Sequence, residues 1–301
     1  MKRMRQAIIG VFLGWLMLAL SALPAMAAER GALFKLSARG HTMYLFGTMH
    51  VGLPDFYPLE PRIRNAVEHA SVLALEIDPL GDPGQMAAAI QKYGTYDPRS
   101  SVGRDVPAQL KPRLEKALRA ASLDPFTVAH LRPWLVAASL TMAEFNAQGC
   151  RQELSVDLHL AKLARAHKVP VLELESLETQ LSLFGRLSPA QQWTFLEDTV
   201  NGIEDGRQRT EVRQVIDAWR TADKQALEKI SAHAEQDTTV AGRFVQKVLL
   251  DERNGPMADK LVKLLAKKNN AVAAIGVLHL VGEKSVPNYM RKKGVKVERI
   301  Y

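Results

Sequence analysis

Two short motifs at opposite ends of the chain carry the residues best suited to chemistry: Gly47-Thr48-Met49-His50 and Gly276-Val277-Leu278-His279. In each, an apolar run gives way to a glycine, and an imidazole follows three residues on. A third group, Glu76, closes the apolar run from Ser71, with Asp78 two residues beyond it. Two imidazoles and one carboxylate suit two kinds of work. They can hold a divalent cation while leaving positions open for water and substrate. They can also act directly as acid and base, because histidine titrates near pH ~6.5. Gly47 and Gly276 would let backbone come close to a bound cofactor. One such motif carries little weight alone. The matched pair with Glu76 makes His50, Glu76 and His279 the candidate metal ligands.

For these groups to meet, the strands that deliver them must be neighbours, because open α/β sheets gather ligands beyond the carboxyl ends of their strands. The pattern predicts strands over 33–38 and 42–46 around the turn Arg39-Gly40-His41, then a helix over 62–70. The continuous apolar run 71–77 reads as a strand buried on both faces. Residues 84–148 turn helical, with helices over 107–121 and 126–147, and another follows over 154–166. A strand over 171–174 is followed by a helix opened by Ser188-Pro189, serine before a proline at the first helical position. Helical pattern continues to 268, with a break near Gly255-Pro256. Sheet returns over 271–277 and 295–300, around a short helix over 285–293. The expected fold is α/β. A central mixed β-sheet is built from the N- and C-terminal strand-helix units, and a large helical middle region (about 84–268) packs on it. Trp134, Trp193 and Trp219 read as packing residues on amphipathic helices.

The chain has 301 residues and a formal charge of +8. Lys2, Arg3 and Arg5 precede an apolar stretch over 7–23, then Pro24 and the small-x-small run Ala25-Met26-Ala27. That order reads as a secretory signal peptide cut after Ala27, the alternative being an uncleaved anchor. Residues 1–27 hold those three cations and no acid, which leaves +5 for a single exported domain over 28–301, periplasmic or secreted. No later stretch is apolar for long enough to span a bilayer. The only cysteine, Cys150, permits no intrachain disulfide, so the core alone must hold the fold. Lysines and arginines are scattered without a basic stripe and interleaved aromatics, which argues against nucleic-acid binding. A solvated basic surface that could approach anionic membranes or envelope polymers remains.

The segment from Met43 to His50, Pro58-Leu59, and Leu75-Glu76-Ile77-Asp78 resemble the opening of the TraB/GumN family, which takes in the animal Tiki proteins. The likeness continues through Arg132-Pro133-Trp134-Leu135, the stretch Ser155 to Leu160, the stretch Val171 to Glu175 with Glu178 and Gln180, Asp251-Glu252-Arg253-Asn254, and Ile275 to Gly282. It spans nearly the whole mature chain in the family's order. The resemblance implies a fold shared with erythromycin esterases and haem-binding ChaN-like proteins. It also implies a metal-dependent hydrolase site of the kind Tiki metalloproteases use with manganese or cobalt on a secreted signalling protein. The family's two Gly-x-x-His motifs fall on His50 and His279, its strand-end glutamate on Glu76, and its Glu-Arg-Asn element on Glu252, Arg253 and Asn254.

One departure is Ser155, where family members commonly have glycine two residues before the aspartate, so Asp157 is given no catalytic part. Arg253 reads either as half of a solvated Arg–Glu pair or as a stabiliser of developing negative charge, with Asn254 orienting a ligand. Glu173 and Glu175 read as a strand end and its loop. His41, His69, His159, His167 and His233 are not expected to be ligands. Two functions stay open. The first is a periplasmic metal-dependent hydrolase of the peptidase type, acting on a peptide or protein substrate. The second is a non-enzymatic envelope protein that binds a metal, haem (through Tyr44 or His50) or a signalling peptide, or that keeps an inert site for partner binding.

If the leader is cut as read, intact-mass measurement of the protein purified from its native compartment will give a chain beginning at Ala28. A mass that retains residues 1–27 would establish an anchored form instead.

Overall fold

The structure is a computed structural model that describes residues 28–97 and 105–301. The proposed leader, 1–27, lies outside the described residues, as does a short part of the predicted helical region, 98–104.

The fold is α/β, as expected. Six strands form one mixed sheet: β1 Leu33–Ala38, β2 His41–Thr48, β3 Leu73–Leu75, β4 Val171–Glu173, β5 Ala271–Gly276 and β6 Lys296–Arg299, in the order β4-β3-β5-β2-β1-β6. The inner strands β4, β3, β5 and β2 are mutually parallel, and β1 and β6 extend the sheet antiparallel. Residues 271–275 of β5 and all of β3 are buried, which is why they read as continuous apolar runs rather than alternating ones. Register then places the candidate residues. Thr48 of β2 lies opposite Gly276 of β5, and Leu75 of β3 lies opposite Ala274. The chain segments carrying His50, Glu76 and His279 therefore leave three adjacent strands at the same end of the sheet.

Local chemistry accounts for the helices that border this end. Helix α1 (Pro61–Glu68) has proline in its first turn and Glu60 as its cap. After the helical pieces α2 (Pro83–Gly94), α3 (Lys111–Ala120) and α4 (Pro125–Val128) come α5 (Pro133–Ala147) and α6 (Val156–Ala166). Ser155 is the N-cap of α6, its hydroxyl accepting from the Leu158 N–H. The residue that departs from the family pattern thus starts the helix by an ordinary cap. A short helix, α7 (Leu177–Ser182), is followed by α8 (Pro189–Glu204), whose Ser188 and Gln191 form a reciprocal capping box. Then come α9 (Arg207–Arg220), α10 (Lys224–Gln236), α11 (Val240–Phe244), α12 (Glu252–Lys267) and α13 (Val286–Lys292).

Three expectations need correction. His41 opens β2 rather than sitting in the turn; the turn is the pair Arg39-Gly40, both at positive φ, the geometry of a two-residue hairpin. The buried strand before Glu76 is only Leu73–Leu75, the span that pairs with both β4 and β5. Helix α12 runs straight through Gly255-Pro256, and the irregularity lies one turn earlier, where Val245–Asp251 take the wider π winding. Proline brings no N–H to the ladder, and π segments are short local accommodations that recur at functional sites.

The apolar interior falls into two clusters. The larger surrounds the sheet and includes Phe46, Leu75, Ile275, Leu261 and Met290. The smaller lies within the helical region around Trp134, Leu140, Leu196 and Phe244, with Trp134 stacked on Phe184 at 4.0 Å. The helical middle therefore has an apolar centre of its own besides its contact with the sheet. Trp219 of α9 joins it to the sheet. It is fully buried, packs on Phe56 and Phe46, and donates its indole N–H to the Gly47 carbonyl at 2.8 Å. Cys150 is buried, and burial pushes its thiol up to about 11, which makes it an inert apolar filler.

Trp219→Phe removes a buried donor from the Gly47 carbonyl and leaves part of the indole volume empty. It should lower unfolding stability by roughly 2–4 kcal/mol, read from urea denaturation. A change below about 0.5 kcal/mol would show that this anchor does not tie α9 to β2.

Candidate active site

His50 leaves the end of β2 into a cleft, with 65 % of its side-chain surface exposed. Its Nδ1 lies 2.9 Å from Asp157 Oδ2, and the other oxygen of that carboxylate accepts from the Thr48 hydroxyl at 2.7 Å. Asp157 stands in the first turn of α6, where the helix N-terminus favours a negative charge. A carboxylate only accepts, so Nδ1 is the donor and Nε2 is the nitrogen turned toward the site. The Asp157 charge and its hydrogen bond, helped by Glu76 and opposed by burial, raise the His50 pKa to about 9. Solvent at so exposed a ring screens part of that attraction.

Glu76, immediately after β3, is buried. One oxygen accepts the Gly276 N–H at 2.6 Å. The other accepts from Arg253 Nη2 at 2.5 Å and from Gln180 Nε2 at 3.3 Å. Burial by itself would raise its pKa. The imidazoles of His279 and His50, the Arg253 guanidinium and the Gly276 N–H outweigh burial and hold the group at about 2. Arg253 also donates to Glu175, at 2.5 and 2.9 Å, and to the Leu249 carbonyl at 2.8 Å. Gln180 also donates to Glu175 at 3.0 Å. Arg253 thus bridges two carboxylates, and the Leu249 carbonyl that holds it belongs to the π segment.

His279 follows β5 and is buried. Its Nδ1 lies 2.6 Å from Asn254 Oδ1, and the Asn254 amide nitrogen donates to the Lys284 carbonyl at 2.8 Å. That second bond turns the amide oxygen to the ring, so Nδ1 donates and Nε2 keeps its lone pair. Nε2 faces Glu76 Oε1 at 3.8 Å. Burial, the dominant influence, pushes the His279 pKa down to about 4 against the pull of Glu76. At neutral pH His279 is neutral while Glu76 is charged.

Gly276 sits at the convergence. A Cβ added there would lie 3.2 Å from Glu76 Oε1, 3.5 Å from His50 Nε2 and 3.6 Å from His279 Cδ2. Only a glycine leaves this space open. Gly47 does something different: a Cβ there would meet Val277 at 2.9 Å, so it permits close packing of two strand ends and does not line the site. Among the described residues no three His, Cys, Asp or Glu side chains already stand in a metal-holding arrangement. A cleft of about 1220 Å³ runs from His50 and Leu278 under the helical region, with Met142, Phe145, Val215 and Ile230 in its walls.

The sheet end therefore brings together His50, Glu76, His279, Arg253, Asn254 and Gly276. Glu252, one residue before Arg253, turns away to an exposed pair with Arg186. The site also contains Asp157 and Glu175, which sequence reasoning set aside, and Gln180. The available signals were positional. Asp157 directly follows a cap-and-helix start, and Glu175 lies two residues beyond the edge strand, its N–H donating to the Glu76 carbonyl. Asn254 orients His279 rather than a ligand.

The Asp157–His50 pair generates a titration prediction. Folding raises the His50 pKa from 6.5 to about 9, so the pair's contribution to stability is complete below about pH 6.5 and is lost as pH rises toward about 9. In metal-free protein, imidazole NMR of Asp157→Asn should show His50 titrating back near ~6.5, with His279 still neutral above pH 5. An unmoved His50 midpoint would show that Asp157 does not set its charge.

No solved structure matches the chain. The uncharacterized protein YbaP of Escherichia coli (strain K12) is 24% identical over 251 residues, covering 82% of this chain and 87% of the relative. YbaP of Shigella flexneri matches to the same extent. The model of the TraB/PrgY/gumN family matches residues 32–299, from the start of the sheet to its last strand and across every site residue described above; the chain belongs to the TraB/PrgY/gumN family.

Proposed function

We propose that this protein is an exported metal-dependent hydrolase of the peptidase type, with its centre at His50, Glu76 and His279. One observation carries the reading. Both imidazoles are tied back through Nδ1, to Asp157 and to Asn254, so that His50 Nε2 borders the space over Gly276 and His279 Nε2 faces Glu76 Oε1, which borders the same space. Histidine ligands are oriented in this way, by an acceptor on the far nitrogen that fixes the tautomer. The donor set of two imidazoles and a carboxylate suits a divalent transition-metal ion, the family resemblance points to manganese or cobalt, and Gly276 keeps its place free of side chain.

A divalent cation held by His50, Glu76 and His279 would supply Lewis acidity for activating water near neutral pH. The chain's own residues do the rest. His279, neutral through burial, offers a lone pair without first losing a proton. His50 must give up its proton to bind a cation, and Asp157 then steadies the ring. Arg253 keeps Glu76 ionised and aimed, with Glu175 and Gln180 bracing the guanidinium from behind. Because four of its five donors are committed to these partners and the Leu249 carbonyl, Arg253 acts first as a positioning residue, and it lends positive potential to negative charge developing beside Glu76. The cleft beyond His50 accepts apolar groups of a substrate, as a peptide with apolar side chains would provide.

Elemental analysis after loading with manganese or cobalt and dialysis should find about one ion per chain in the wild type and none in the His50→Ala/His279→Ala double variant. His50→Ala alone, at an exposed position, should keep the wild-type circular dichroism. Asn254→Ala should weaken the ion about 10- to 100-fold. Peptide cleavage, assayed with and without chelator, should disappear with the metal. Cleavage undiminished by chelation would replace this reading with direct acid–base catalysis by the two imidazoles.

A further inference from the structure

The end of the sheet opposite the site is built from five short connections: Arg39-Gly40 between β1 and β2, then 69–72 into β3, 167–170 into β4, 268–270 into β5 and 293–295 into β6. Register places them side by side, since Met43 lies opposite Ala271, Leu73 opposite both Val272 and Val171, and Ser37 opposite Lys296. Asn269 and Asn270 stitch them into one surface. The Asn269 side chain accepts from the Thr42 N–H at 2.9 Å, its carbonyl accepts from the Ser71 hydroxyl at 2.7 Å, and the Asn270 amide donates to the His69 carbonyl at 2.8 Å.

None of the five connections contains an aspartate or glutamate. Arg39, Lys168, Lys267, Lys268 and Lys296 are exposed there and make no ion pair among the described residues. The carboxylates on the flanking helices, Glu68 and Asp259, are already paired with Arg64 and Lys293. Helix C-termini attract cations, and α1, α6, α12 and α13 all end at this face. That accounts for Lys267 in a last helical turn. It does not account for Arg39 in a hairpin turn or Lys296 on a strand, nor for the complete absence of acid.

We infer that this face docks on an anionic phospholipid bilayer, leaving the catalytic end of the sheet turned away from the membrane. The inference is independent of the chemistry proposed for the site. The connections are two to four residues long, and neither the cleft beside His50 nor the pocket at Glu175 and Arg253 is lined by them. The face contains no Phe, Tyr or Trp on which nucleic-acid bases could stack. Mostly it offers lysines, point charges that laterally mobile headgroups can gather beneath. The attraction is electrostatic and screened beyond about 10 Å at 0.1 M salt.

The test uses protein expressed from the full-length gene and purified from the soluble fraction, in co-sedimentation with vesicles. It should bind vesicles of phosphatidylcholine with phosphatidylglycerol, release as salt rises, and ignore phosphatidylcholine alone. The variant Lys267→Gln/Lys268→Gln/Lys296→Gln should bind about a hundredfold more weakly, near fivefold per cation removed. The charge-matched variant Lys111→Gln/Lys116→Gln/Lys224→Gln, altered on other helices, should bind as wild type. Equal binding to neutral vesicles, no binding to anionic ones, or equal loss in the charge-matched variant would overturn the inference. Retention on soluble heparin without vesicle binding would also overturn it, in favour of a polyanion.

Discussion

Parallel pairing of β2 with β5 sets the geometry on which the site depends. The two strands come from opposite ends of the chain, and their register puts Thr48 beside Gly276. From those two positions the chain needs only a few residues to bring His50 and His279 over the same glycine. A slip of one residue along β5 would carry every side chain to the other face of the sheet, and His279 with them. The apolar continuity of β5 and β3, buried on both faces, makes such a slip costly because polar residues bound both runs. Trp219 reinforces the arrangement from the helical side by holding the Gly47 carbonyl at the end of β2.

The second constraint is electrostatic. Glu76, Arg253 and Glu175 form a nearly buried trio, with side-chain exposures of 5 %, 13 % and 9 %. Such a trio is a poor device for stability, since desolvation cancels most of the Coulomb attraction and a packed apolar trio would serve as well. Its effect is on the state of Glu76, which stays ionised and fixed in direction despite its burial. The two histidines show the complementary logic. Exposed His50 is biased toward its cation by Asp157, while enclosed His279 is kept neutral by burial. Two identical side chains at equivalent strand ends thus differ in protonation because their surroundings differ.

The two ends of the sheet divide the molecule's surface chemistry. Beyond the carboxyl ends of the parallel strands lie the convergent polar groups and the apolar-walled cleft. Beyond their amino ends lie short connections rich in cations and free of acid. The same topology generates both, because parallel strands gather all exits at one end and all entries at the other. The helical middle forms the cleft wall at the exit end, with Trp134 and Phe184 from its own apolar cluster and Met142, Phe145, Val215 and Ile230 packed against the sheet's core.

The sequence by itself determined the α/β class, the strands that bear the two Gly-x-x-His motifs, and the candidacy of His50, Glu76, His279, Arg253 and Asn254. These were legible because buried strands are written as local apolar runs and the chemistry-bearing residues sit at their ends. Only the tertiary structure decided what each residue touches. Asp157 and Glu175 had local readings, a helix start and a strand end, that fit their sequence neighbourhoods fully. Their second roles depend on where α6 and β4 lie against β2 and β3. The helix through Pro256 was hidden for a related reason: a proline breaks a helix unless the preceding turn rewinds, and the rewinding of Val245–Asp251 leaves no local mark. Gly47 and Gly276 look alike in the chain, yet one is pressed against Val277 and the other opens the space between three functional side chains. A residue's neighbours along the chain fix its backbone state, whereas hydrogen-bond partners and charge state are set by groups as far apart in sequence as Glu76 and Gly276.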